Sequence, residues 1–149
     1  MRVEKDFEDF IKLLNEHEVR YLIVGAFAVS FHSRPRFTGD LDVYLDHYPE
    51  NIETLLLALN DFGFESIGLS VKDFQEDNII QLGYEPNRIN LLTGISGVAF
   101  GDAFHSRVKG NYGDETAWFI SLDDLIKNKK ASDRLKDKSD LELLEQYRQ

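Results

Sequence analysis

Two aspartates alternate in the segment FTGDLDVYLD, residues 37–46, where Leu41 separates Asp40 from Asp42 and an apolar run follows. Side chains two apart on a strand point to the same face, so these two carboxylates converge. Close carboxylates repel unless a positive charge lies between them. Mg²⁺ can supply this positive charge, because it binds one or two carboxylates together with phosphate oxygens. The segment therefore predicts Asp40 and Asp42 as ligands of Mg²⁺ or Mn²⁺; the alternative is a turn acid and an edge-strand acid that both face water.

A glycine turn precedes this acidic strand. The apolar run YLIVG, residues 21–25, predicts a buried strand that ends at Gly25, and AFAVSFH, residues 26–32, predicts a short helix directly after it. Backbone N–H groups at a helix N-terminus beside a glycine can approach a phosphate closely. A strand, a glycine turn, a helix and a D-x-D strand within about 25 residues thus predict a site for a metal-bound triphosphate.

Basic and polar residues near these elements supply further candidates. Arg34 and Arg36 precede the acidic strand and have the geometry to bind phosphate oxygens in bidentate fashion, with Thr38 as a weaker polar candidate. Lysines 127, 129 and 130 could add positive charge from a C-terminal helix. The alternatives are solvated loop arginines and lysines that favour a helix C-terminus.

Hydrophobic periodicity and turn residues predict the elements that must position these groups. The predicted strands cover residues 21–25, 40–46, 64–70, 79–84, 88–93, 103–109 and 116–120, and the predicted helices cover 3–17, 26–32, 51–62, a segment from Ser121 and 139–147. Residues 94–101 are predicted as a loop. This order favours an α/β (α+β) fold with a mixed central sheet and helices packed on it. At 149 residues, the chain fits a single domain over 1–149 with C-terminal helices at about 121–147.

Composition excludes several classes of protein. There is no cysteine, so disulfides and thiolate metal sites are excluded. The net charge is -10, and residues 37–87 contain eleven acids and one base, Lys72. A protein that binds nucleic acid along a broad face needs a wide basic surface, so we expect at most local basic patches suited to a small phosphate ligand. No apolar run approaches the ~20 residues of a membrane helix, which predicts a cytoplasmic protein without a membrane partner.

The stretch VGAFAVSFHSRPRFTGDLDVYLD, together with RINLLT at 88–93, resembles the nucleotidyltransferase superfamily of DNA polymerase β-like fold. It is most similar to small bacterial nucleotidyltransferase-like proteins, some of which act in toxin–antitoxin and abortive-infection systems. The C-terminal LIKNKKASDRLKDKSDLELL is similar to the closing helices of that group. The resemblance covers most of the chain and implies a mixed sheet of polymerase β-like fold.

The resemblance also implies roles for individual residues. Gly25 matches the phosphate-binding turn, Asp40 and Asp42 match the metal ligands, and a nucleoside triphosphate is the implied substrate. Two positions depart from the family pattern: Ala26 stands where a second Gly or Ser is usual, and Asn90 stands at the third acid. Asn can coordinate through its carbonyl oxygen but cannot serve as a general base.

Three hypotheses follow from the resemblance and its departures. The first is a Mg²⁺-dependent nucleotidyltransferase that moves a nucleoside monophosphate onto a hydroxyl of a small molecule, a protein or an RNA end. The second is a catalytically degenerate homologue that binds nucleotide or a partner protein without turnover, which Ala26 and Asn90 favour. The third is a toxin–antitoxin interaction protein. At this size a protein partner or a homodimer is expected to complete the site.

Overall fold

The computed structural model describes residues 3–35, 38–64, 68–75, 77–84 and 86–148. Within these ranges the α-helices are α1 (Lys5–Glu16), α2 (Gly25–His32), α3 (Pro49–Phe62), α4 (Phe100–His105), α5 (Leu122–Ala131) and α6 (Leu135–Tyr147). The strands are β1 (Tyr21–Val24), β2 (Asp40–Leu45), β3 (Ile79–Leu82), β4 (Arg88–Leu92), β5 (Val108–Tyr112) and β6 (Glu115–Phe119), and a short 3₁₀ helix covers Val71–Phe74.

The described strands form one mixed sheet in the order β3-β4-β2-β1-β6-β5. Strand β2 lies near its centre, antiparallel to β1 and parallel to β4. The parallel register pairs Asp40 with Arg88 and Asp42 with Asn90. The prediction of a mixed sheet with helices packed on it is confirmed, and the structure places Asn90 on the strand next to the two aspartates.

Apolar periodicity explains how the first helix packs. The buried residues of α1 are Phe7, Phe10, Ile11 and Leu14, which share one helical face. This face packs against α3 and β6, and the rings of Phe10 and Phe62 lie 5.2 Å apart. Helix α3 begins at Pro49 and ends before Gly63, whose φ of 100° is the left-handed conformation that closes many helices.

The C-terminal helices form the second layer that matters for the site. Helices α5 and α6 pack against each other, and both contact α2. Helix α5 begins after Ser121, whose hydroxyl oxygen accepts a hydrogen bond from the Asp124 backbone N–H at 3.1 Å, as its sequence predicts. Helix α6 therefore lies beside the glycine turn although it is far from it in sequence.

Several element boundaries differ from the sequence prediction, and three of the differences are larger than two residues. Residues 103–105 belong to helix α4, which also takes Phe100 and Gly101 from the predicted loop, and the strand begins only at Val108. Phe100 and Ala103 are both buried, and their spacing of three residues fits one helical turn. A segment of six residues is too short for its apolar pattern to distinguish a helix from a strand. Helix α6 begins at Leu135, four residues before the predicted start at Ser139. Hydrophobic periodicity does not reveal this first turn, because its leucine, Leu135, is 81% exposed.

A further difference concerns the predicted strand over 64–70. Residues 65–67 lie outside the described residues, while Phe64 and residues 68–70 are not in a strand. None of the helices in the described ranges is both long and apolar enough to span a membrane.

Candidate active site

The aspartates of β2 line the floor of a cleft. The residues between and after them, Leu41 and Val43, are fully buried on the opposite face of the sheet. Asp40 and Asp42 are only partly buried, and both line a cleft of about 940 Å³. The strand thus turns its apolar residues to the core and its two carboxylates to one open face, as its alternation predicts.

Gly25 lies directly beneath the Asp42 carboxylate. Strand β1 pairs Val24 with Asp42, and Gly25 follows with a φ of 66°. A Cβ placed on Gly25 would lie 2.2 Å from Asp42 Oδ2 and 3.0 Å from its Cγ. Position 25 therefore requires glycine for two reasons: the backbone is left-handed, and the Asp42 carboxylate occupies the space that a Cβ would fill.

Strand β4 brings two donors to the carboxylates. Asn90 Nδ2 donates to Asp42 Oδ1 at 2.8 Å and to Asp40 Oδ2 at 3.4 Å. Asn90 Oδ1 accepts a hydrogen bond from Gln81 Nε2 at 3.0 Å, so the amide oxygen faces away from the aspartates. Arg88 donates from Nε to Asp40 Oδ1 at 3.3 Å and from Nη2 to Asp40 Oδ2 at 3.2 Å.

The Asp42 carboxyl lies in an electrostatic environment that disfavours its charged form. Burial raises the pKa of the Asp42 carboxyl above its ordinary value, and the neighbouring charge of Asp40 raises it further. The hydrogen bond from Asn90 and the charges of Lys136 and Lys129 oppose that rise without cancelling it. The Asp42 carboxylate is therefore short of positive charge, which a cation in the cleft would provide.

The opposite wall of the cleft comes from α5, α6 and the turn between them. Its charged members are Lys129, Asp133, Arg134, Lys136 and Asp137. Lys129 is buried and forms ion pairs with Asp137 at 2.8 Å and with Asp140 at 3.4 Å. Asp137 also accepts hydrogen bonds from Ser132 and from Arg134 Nε, the latter at 2.8 Å.

Asp137 shows the reverse of Asp42. Burial alone would raise the pKa of the Asp137 carboxyl, but hydrogen bonds from Arg134, Lys129 and Ser132 outweigh burial and hold it well below its ordinary value. This group, which we call the Lys129 cluster (Lys129, Ser132, Arg134, Asp137 and Asp140), connects α5 to α6; its members Lys129, Asp137 and Asp140 are buried. It fixes the position of the wall that faces the two aspartates.

The cleft brings together a subset of the residues that the sequence singles out. Its lining includes Gly25, Ala26, Thr38, Asp40, Asp42 and Asn90. Among the residues that the structure describes, Arg34, Lys127 and Lys130 are not part of that lining, and Arg36 lies outside the described residues. Lys130 instead lies 3.8 Å from Glu145.

Sequence reasoning missed Arg88, Arg134 and Lys136. Arg88 becomes a candidate only once the register of β2 and β4 is known, because the pairing places it opposite Asp40. Lys136 occupies the first turn of α6, where a cation opposes the helix dipole. That unfavourable position was a usable signal, but it required the correct start of the helix.

The sequence matches the model of one protein family over residues 2–147, a family described as nucleotidyltransferase of unknown function (DUF6036). The chain belongs to this nucleotidyltransferase family. No protein of curated function matches the sequence.

The fold agrees with that membership. The chain is similar to the lincosamide antibiotic adenylyltransferase LnuA in its lincomycin-bound crystal structure, with a TM-score of 0.61. The match covers 97% of this chain and 98% of LnuA at 16% sequence identity. At that identity the similarity establishes a shared nucleotidyltransferase fold, and the resemblance seen in the sequence is confirmed.

The cleft offers a divalent cation two carboxylates, those of Asp40 and Asp42. The described residues contain no group of three or more His, Cys, Asp or Glu side chains that could hold a metal ion. Two hard carboxylate ligands are nevertheless the usual protein share for Mg²⁺ that also binds phosphate. The raised pKa of the Asp42 carboxyl agrees with a cation bound in the cleft beside the two aspartates.

Proposed function

We propose that the chain transfers a nucleoside monophosphate from a metal-bound nucleoside triphosphate to a hydroxyl of a small acceptor molecule. The observation that carries the proposal is the Asp42 carboxylate held over Gly25 at the start of α2, with Asp40 beside it. Family membership and the shared fold support the general reaction.

Different residues of the cleft would bind the cation and the phosphates. Asp40 and Asp42 would hold Mg²⁺ or Mn²⁺, which supplies neutralisation of triphosphate charge when bound. Backbone N–H groups at Gly25 and Ala26 would approach the phosphates at the N-terminus of α2. Lys136 and Arg134 face the same cleft and would add positive charge from α6.

The reaction forms one P–O bond, breaks another, and releases the proton of the acceptor hydroxyl. The acceptor hydroxyl oxygen attacks the α-phosphorus in line, the bond from that phosphorus to the bridging oxygen of the β-phosphate breaks, and pyrophosphate leaves. The hydroxyl proton goes to solvent, because Asn90 cannot accept it. Positioning and charge neutralisation therefore account for most of the expected rate.

A small acceptor fits the charge distribution. Residues 37–87, which include the acidic strand, carry eleven acids and one base, and this excess repels polyanions such as RNA. LnuA, which shares the fold, is an adenylyltransferase of lincosamide antibiotics. Both observations support a small hydroxyl-bearing molecule as the acceptor.

A second function has support from strand β4. Asn90 donates to both carboxylates and Arg88 pairs with Asp40, so part of the charge that a cation would balance is already balanced. These contacts favour a homologue that binds nucleotide with little or no turnover.

Isothermal titration tests the binding that both functions require. ATP, GTP, CTP and UTP, each with Mg²⁺, are titrated into the wild type, Asp42→Asn and Asp102→Asn; the last removes the same charge from an exposed position of α4 outside the cleft lining. We expect Mg²⁺-dependent binding of at least one nucleotide to the wild type and to Asp102→Asn, and none to Asp42→Asn. Binding that survives in Asp42→Asn would contradict the proposal.

Transfer is then measured with the nucleotide that binds, labelled at the α-phosphate, and a mixture of hydroxyl-bearing acceptors. Label transfer with release of pyrophosphate supports the enzyme. Binding without pyrophosphate release across a broad acceptor set supports the non-catalytic homologue.

A further inference from the structure

The position that a third acid occupies in the family pattern carries a donor in this chain. Asn90 is paired with Asp42 across β2 and β4, and its Nδ2 group faces both carboxylates. In two-metal sites the ions lie about 3.5–4 Å apart, and the second ion stabilises the attacking oxygen. Such an ion needs anionic oxygen ligands on this side of the aspartates, whereas the structure places N–H groups there.

Arg88 adds a full positive charge on the same side. Its Nε and Nη2 groups bind the two oxygens of Asp40 in a bidentate arrangement, at 3.3 and 3.2 Å. The Arg88 and Asp40 side chains are 28% and 32% exposed, so solvent screens the pair only in part. Guanidinium stays protonated at any physiological pH, so this charge is permanent.

The other side of the aspartates borders the cleft, whose lining also includes Gly25. Asp42 turns Oδ1 to Asn90, while Oδ2 lies next to Gly25 and the N-terminus of α2. Two carboxylates and one guanidinium leave a net charge of about -1, which suits one divalent cation shared with a triphosphate. A second cation would have to displace Arg88 and face the amide N–H groups of Asn90.

We propose that Arg88 stands in for the second cation of a two-metal site, so that this chain binds a single divalent cation on the Gly25 side of Asp40 and Asp42. Arg88 acts through Asp40 and is a positioning residue. The inference rests on the proposed nucleotide-binding function and adds its metal stoichiometry.

Counting bound Mn²⁺ by electron paramagnetic resonance tests the inference on the full chain. Mn²⁺ is titrated into protein saturated with the α,β-methylene analogue of ATP, GTP, CTP or UTP, which cannot transfer the nucleotide. We expect about one Mn²⁺ per chain in the wild type and in Arg88→Lys, and about two in the double variant Arg88→Met/Asn90→Asp. Without nucleotide, Arg88→Met should bind Mn²⁺ roughly tenfold more tightly, because a unit charge close to Asp40 has been removed.

Arg20→Met is the matched control. Arg20 pairs with Asp46 at 2.6 Å just beyond the far end of β2, so the variant breaks an Arg–Asp pair near the same strand without touching the cleft. Its Mn²⁺ count should equal that of the wild type. Two ions in the wild type, or one ion in the double variant, would overturn the inference while leaving nucleotide binding intact. No nucleotide-dependent Mn²⁺ in the wild type would overturn the proposed function, and the inference with it.

Discussion

Two pairs of aspartates, one on α6 and one on β2, differ in how far neighbouring donors balance their charge. Asp137 and Asp140 lie one helical turn apart on α6, are buried, and share the ammonium group of Lys129. Asp40 and Asp42 lie two residues apart on β2, are partly exposed, and receive one guanidinium and one amide. The pKa of Asp137 is lowered by its partners, whereas that of Asp42 is raised.

The difference separates a structural ion cluster from a binding site. In the Lys129 cluster, hydrogen bonds to the charged form outweigh burial, so the charge is stable where it lies. At Asp42 burial and repulsion outweigh the available donors, so the carboxylate is kept in an unfavourable state. A carboxylate that the fold leaves undercompensated is a candidate for ligand binding.

Identical substitutions should separate the two pairs most strongly. Asp137→Asn removes one of the two carboxylate charges that pair with the buried Lys129, so we expect a loss of about 3 kcal/mol in the free energy of unfolding. Asp42→Asn removes a repelled carboxylate and should change it by less than about 0.5 kcal/mol, or increase it. Urea denaturation of both variants, followed by circular dichroism, measures the difference. Equal losses would show that the two aspartate pairs do not differ in the way proposed.

The pH dependence of these two differences should have opposite signs. The folded pKa of Asp137 is depressed, so its contribution is present above the unfolded value of about 3.9 and is lost as the pH falls below it. The folded pKa of Asp42 is raised, so its ionisation costs stability at neutral pH, and that cost disappears as the pH falls through the folded pKa towards about 3.9. Urea titrations of the wild type and both variants between pH 8 and 3 measure each slope.

Substitution of Gly25 should damage both the fold and the site. Alanine at Gly25 adds left-handed strain of about 1–2 kcal/mol and places its Cβ against Asp42 Oδ2. Gly63→Ala is the matched control, because Gly63 also has a positive φ but nothing lies within 4 Å of its Cβ position. Thermal unfolding should show a greater loss for Gly25→Ala, and titration with nucleotide and Mg²⁺ should show that only this variant loses binding. If the two variants behave alike, the contact with Asp42 has no role in the site.

The smallest effect is expected for Lys136. Lys136→Gln removes a cleft-lining charge that acts on Asp42, and triphosphate affinity should fall about two- to fivefold, since exposed charge contacts are worth up to ~1 kcal/mol. Lys138→Gln removes the same charge two residues along the same turn, outside the cleft lining, and should have no effect. Titration with triphosphate and monophosphate tests the assignment, because a phosphate contact should weaken the triphosphate more than the monophosphate.

Local patterns in the sequence predicted the sheet and the acidic strand well. The alternation of β2, the apolar face of α1 and Gly63 after α3 each depend on neighbouring residues alone. The sequence predicts a loop at 100–101 and a strand at 103–105, where the structure has α4, because six residues hold too little periodicity; it predicts α6 too short because the first leucine of that helix faces solvent. The buried Asp137 cannot be recognised by hydropathy, since charged residues are rarely buried unless they are paired.

The site was predictable where it is local and not where it depends on register. Gly25, Asp40 and Asp42 follow from one continuous segment and its resemblance to a family. Their roles in metal and phosphate binding stay predictions, as do those of Thr38 and Ala26. Arg88 depends on the pairing of β4 with β2, and Lys136 on how α6 packs beside α2, so each requires the tertiary structure.

The order of the elements along the chain determines when each charge becomes available during synthesis. Arg88 is made about 46 residues after Asp42, whereas Lys136 needs another 48, and ribosomes add about 5–20 residues per second. A nascent chain that has paired β4 with β2 therefore already holds Asp40 against its guanidinium, seconds before the second wall of the cleft exists. Arg88 therefore precedes Lys129, Arg134 and Lys136 as a source of positive charge near Asp40 and Asp42.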